Sequence, residues 1–98
     1  MNGKSYNPVQ SNYKFIDLME FLFQQTGPVT ATQISKGLEA PHATVMSHLK
    51  PAVERKWVKQ TGDYYEPGLR IMGMYSAYKM GLQNKIDTLQ RELNILEA

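Results

Sequence analysis

The chain contains no cysteine among its 98 residues. That absence excludes disulfides, thiolate zinc sites and thiol nucleophiles, and it fits a reducing compartment, so the expected location is the cytoplasm. No run approaches the roughly 20 apolar residues of a membrane span, and the opening MNGKSYNPVQ lacks the apolar stretch of a secretory signal. Neither membrane insertion nor export is expected. Charge is also scarce: 11 Lys and Arg against 9 Asp and Glu leave a net +2, too little to identify a polyanion binder by itself. Only two histidines are present, His42 and His48, six residues apart and on different faces of any helix that holds them. With no other ligand cluster, no metal and no cofactor are expected. The sequence also lacks a glycine-rich phosphate loop, a Ser/His/Asp arrangement and paired carboxylates placed for acid–base work, so it does not read as an enzyme.

What is present suits one small globular domain, with 42% hydrophobic and 20% charged residues. Residues 1–10 read as a mobile arm, with Gly, Asn, Ser and Pro and little apolar content. From residue 11, Phe15, Ile16, Leu18, Met19, Leu22 and Phe23 recur at helical spacing until Thr26-Gly27-Pro28 stops the run. Thr30-Ala-Thr-Gln33 has the form of a capping box and opens a short helix to about Leu38. Gly37 to Ala40 reads as a break, and Pro41 suits the first position of the next helix, where its missing N–H costs nothing. Trp57–Gln60 and Tyr64–Glu66 are β-prone runs around Thr61-Gly62-Asp63, the pattern of a hairpin. From Leu69 to Leu96 a helical period returns without proline. Gly73 and Gly81 weaken that helix by about 1 kcal/mol each relative to alanine.

Helix, helix, helix, hairpin and long helix is the order of a winged helix-turn-helix, a mostly α fold with a small β-hairpin. Residues 11–68 form the winged domain in this reading, and residues 69–98 the long C-terminal helix. On the helix after Pro41, Val45, Leu49, Ala52 and Val53 share the core face, while Ala43, Thr44, Met46, Ser47 and Lys50 point outward. The outward set holds one cation and no carboxylate, as a polyanion partner requires. Pro51 breaks the local rule: it removes a backbone donor inside the helix, so a bend there, or an end near Lys50 with a restart, is expected on the groove-facing side.

Through LMEFL, TATQISKGLEAPHATV, VERKWV and YEPGLRIMGMYSAY, from about Phe15 to Leu82, the chain resembles the N-terminal DNA-binding domain of IclR-type transcription regulators. The resemblance implies a recognition helix whose His42, Ala43, Thr44 and Ser47 face bases. It implies phosphate contacts by Thr32 and Lys50, and wing contacts by Lys59 and Thr61. It departs from the family in a shorter wing around Gly62, in Pro51, His48 and Ala52, and in stopping at Ala98, so no effector domain and no small-molecule effector are expected. His48 reads as a packing residue.

The C-terminal helix carries an apolar heptad seam, Ile86 and Leu93 at position a with Leu82, Leu89 and Leu96 at d. Such a seam packs either on the protein's own first helix or on a second copy, and homodimerisation is the expectation because the repeat outruns the winged domain. A parallel pair sets Glu92 near the partner's Glu97; an antiparallel pair sets Lys85 against the partner's Glu92. The function expected is sequence-specific binding of double-stranded DNA by a dimeric transcriptional regulator, a repressor acting by occlusion. The competing readings are a DNA-organising or partition protein of a mobile element, and a winged-helix adaptor that binds proteins.

Overall fold

The computed structural model describes residues 6–98, so the first half of the expected arm lies outside the described residues. The elements run α1 (Gln10–Gln24), β1 (Val29–Thr30), α2 (Ala31–Leu38), α3 (His42–Glu54), β2 (Val58–Thr61), β3 (Tyr64–Pro67) and α4 (Leu69–Glu97). The chain is mostly helical with one three-stranded antiparallel sheet in the order β1-β3-β2. It is a winged helix-turn-helix with a long C-terminal helix.

A single core joins the first three helices to the sheet. Leu18, Met19 and Leu22 of α1 meet Ile34 of α2, Val45, Leu49 and Ala52 of α3, Val58 of β2 and Tyr65 of β3. Each helix contributes residues three or four apart, α2 adding Ala31 to Ile34, the spacing that puts a stripe on one face. β1 is an addition that the sequence did not announce. Its two residues pair with β3, Val29 opposite Tyr65 and Thr30 opposite Tyr64, and they tie the start of α2 to the wing. In the wing, β2 takes in Thr61, so the loop is Gly62-Asp63 alone rather than three residues. Gly62 has φ of 61° and Asp63 is not left-handed, the pattern of a type II′ hairpin turn with glycine first.

α2 and α3 both close with a left-handed residue that is not glycine. After α2, Glu39 (φ 51°) gives its N–H to the Lys36 carbonyl and Ala40 gives its N–H to Ser35. After α3, Lys56 (φ 64°) donates to Val53 and Trp57 to Ala52. Both are Schellman closures. Gly37, expected in the break, lies instead inside α2, where the ring of Phe21 fills the space a β-carbon would take. Pro41 is the N-cap of α3 and His42 its first residue, one position later than expected. The helix then runs through Pro51 to Glu54 and neither ends nor restarts at Lys50.

α4 leaves the core almost at once. Only Ile71 packs in part against the core, and no residue of the helix is buried. The radius of gyration is 19.6 Å, against about 13 Å for a compact chain of this length. The seam residues Leu82, Ile86, Leu89, Leu93 and Leu96 are between 43% and 83% exposed, so they do not fold back onto α1.

Candidate nucleic-acid interface

The helix-turn-helix pair begins with a sequence-encoded cap. The Thr30 hydroxyl accepts the Gln33 N–H at 3.2 Å, and the Gln33 side-chain oxygen accepts the Thr30 N–H at 2.8 Å. This capping box fixes where α2 starts and leaves Thr32 exposed in its first turn. The connection to α3 is closed by the Ser35 hydroxyl, which donates to the Ala40 carbonyl. The angle between the two helices is thereby held by side chain as well as backbone.

On α3, the buried Val45, Leu49 and Ala52 define the inner face. His42, Ala43, Ser47 and Lys50 are exposed on or beside the opposite face, while Thr44 is half-buried. The Ser47 hydroxyl donates to the Thr44 carbonyl at 2.7 Å, which occupies its proton and leaves its lone pairs outward. His48 is half-buried with its ring 6.3 Å from that of Phe15, a packing position. Thr32, Lys59 and Thr61 are exposed on α2 and β2. Thus Ala43, Ser47 and Lys50 come together on one helix face, Thr32 is exposed on α2, and Lys59 and Thr61 stand on the wing.

Two acidic residues alter the electrostatics expected from the sequence. Glu54 follows Ser47 by seven residues and Lys50 by four, so it shares their face, and it lines the groove between α3 and the wing with Met46, Gln60 and Tyr65. The outward face therefore has a carboxylate, contrary to the expectation of none. The helix continues through Pro51, and that continuity brings Glu54 onto this face. On the wing, Lys59 stands directly opposite Glu66 in the strand register, and cross-strand partners share a face of the sheet. Its charge is offset there. Pro51 does not lie on the groove side: with Phe15, Arg55 and Trp57 it lines a hollow on the α1 side.

The fold is shared with a transcriptional repressor. The crystal structure of Agobacterium tumefaciens repressor BlcR matches with a TM-score of 0.62 at 11% identity, over 71% of this chain and 29% of BlcR. The chain thus aligns with less than a third of that repressor's length. At this identity the likeness carries the fold alone. No family model and no curated protein matches the sequence. Among the described residues no helix is long and apolar enough to cross a membrane, and no three His, Asp or Glu residues gather to hold a metal ion.

Proposed function

We propose that this chain is a sequence-specific binder of double-stranded DNA that works as a dimeric transcriptional repressor of the IclR type. The observation that carries the reading is α3: a helix whose exposed N-terminal turns hold small and polar groups with Lys50, the carboxylate Glu54 coming only in its last turn. Such a helix fits the major groove, where its N-terminal turns reach base edges. His42, Ala43, Thr44 and Ser47 are assigned to base edges, and Thr32 and Lys50 to phosphates. Lys59 and Thr61 are the wing's contribution. With Glu66 opposite Lys59 and a two-residue turn, the wing's share is small. The fold shared with a repressor supports the class of function.

Dimerisation is part of the proposal, because one winged domain covers too little DNA for tight specific binding. The exposed seam Leu82, Ile86, Leu89, Leu93 and Leu96 supplies the surface. The test is selection of bound duplexes from a random pool, followed by affinity against salt. Specific binding yields an enriched motif and an affinity that falls steeply with salt through counterion release. Lys50→Glu abolishes binding with the circular dichroism spectrum unchanged. No enrichment over random DNA at moderate salt refutes the regulator, and salt-independent binding to a protein partner would establish an adaptor in its place.

A further inference from the structure

We infer that α4 pairs antiparallel with α4 of a second copy, and so holds the two winged domains at opposite ends of the dimer. The inference rests on the dimer proposed above and settles its geometry. A helix's own dipole favours acids at its start and bases at its end. α4 is charged the other way round. From Leu69 to Lys85 it carries Arg70, Lys79 and Lys85 and no acid; from Ile86 onward it carries Asp87, Glu92 and Glu97 with Arg91 alone. No acid lies in its first turn and no base in its last. A charge order that costs the isolated helix stability is relieved when a second copy lies alongside it in the opposite sense.

The individual charges divide in the same way. Asp87 and Arg91 are four apart and served within the helix: Asp87 accepts from the Gln83 amide at 3.2 Å, and Arg91 donates to the Thr88 hydroxyl at 3.4 Å. Lys79, Lys85, Glu92 and Glu97 have no opposite charge three or four residues away. These four lie on or beside the exposed apolar seam. In an antiparallel register with Ile86 against the partner's Leu89, Leu82 meets the partner's Leu93 and Lys85 meets the partner's Glu92. Lys79, at an a position, reaches the partner's Leu96 and Glu97. A parallel pairing gives the opposite result, with Lys79 facing its own copy in the core and Glu92 beside the partner's Glu97. Like charges fall together in one arrangement and opposite charges in the other.

The twofold axis then crosses α4 near Asp87 and Thr88. At 1.5 Å per residue the two α4 starting points stand about 55 Å apart. That separation exceeds the roughly 34–36 Å between half-sites one turn of DNA apart.

The deciding experiment is sedimentation equilibrium on the full chain at low and moderate salt. Glu92→Lys weakens the dimer by about five- to tenfold, and the swap Lys85→Glu with Glu92→Lys restores it. An unchanged or tighter Glu92→Lys dimer overturns the antiparallel arrangement while leaving dimerisation standing. A wild-type chain that stays monomeric at every concentration overturns the dimer itself. Since the sequence has no cysteine, Ala98→Cys accepts a single spin label per copy. Antiparallel helices place the two labels about 30 Å apart. Labels in direct proximity, or a rapidly formed disulfide between the two chain ends, overturn the proposal.

Discussion

The ring of Phe21 on α1 occupies the space that a β-carbon on Gly37 of α2 would take. The two helices approach there as closely as they do because that carbon is missing. In an exposed helix, Gly→Ala gains about 1 kcal/mol; here it forces the half-buried ring out of its packing, a cost of about 1–3 kcal/mol. Gly37→Ala therefore lowers the unfolding free energy in a urea titration. In a Phe21→Ala background the same change raises it by about 1 kcal/mol, and a double-mutant cycle reads the coupling.

Glu39 holds a left-handed conformation that costs an L-residue roughly 1–2 kcal/mol and glycine nothing. Glu39→Gly stabilises the fold by about 0.5–1 kcal/mol after the added entropy of the unfolded chain is subtracted. The change appears as a rise of a few degrees in Tm, followed by the fluorescence of Trp57 packed on Phe15.

Glu54 shares the groove with Lys50 and Ser47 and repels a phosphate backbone. Glu54→Gln tightens binding to duplex DNA by roughly three- to tenfold at low salt, with a smaller gain at high salt. Lys50→Ala weakens binding to all sequences alike and lowers the slope of log affinity against log salt by about one. Electrophoretic shifts over a salt series measure both.

Pro51 sits exposed inside α3, where it cannot donate to the Ser47 carbonyl. Pro51→Ala returns that bond and stabilises the domain by about 1–3 kcal/mol. Calorimetric Tm rises accordingly.

Ile86 and Leu93 touch nothing in the winged domain, both being exposed on α4. Ile86→Asp therefore leaves the unfolding free energy of the dilute chain unchanged within about 0.5 kcal/mol. The same change removes the dimer in sedimentation. A parallel loss of stability at high dilution would show that the seam packs within its own chain.

Much of this architecture was legible in the sequence, because its signals are local. Thr30 and Gln33 wrote the cap of α2, the period of Leu18 and Leu22 wrote the inner face of α1, and Gly62 wrote the turn. Long-range and conformational features were not legible. β1 is two residues long and exists only because β3 lies beside it. Glu39 and Lys56 adopt left-handed conformations in which glycine is the usual marker, so neither closure had a sequence signature. Gly37 reads locally as a break, and only the approach of Phe21 gives it a place inside a helix. For the candidate interface, helical spacing placed Ser47 and Lys50 together. Glu54 joins that face because α3 continues through Pro51, a tolerance that no local signal announces.

The end of α3 and the start of α4 are joined through one short bridge. Trp57 gives its N–H to Ala52 and accepts the Gly68 N–H at 2.8 Å, while the Lys56 carbonyl accepts the Arg70 N–H at 3.1 Å. Two backbone bonds thus anchor the first turn of the long helix to the closing turn of α3. They make a lever of the pair: any tilt of α3 is carried to the far end of α4, where a small angle becomes a large displacement.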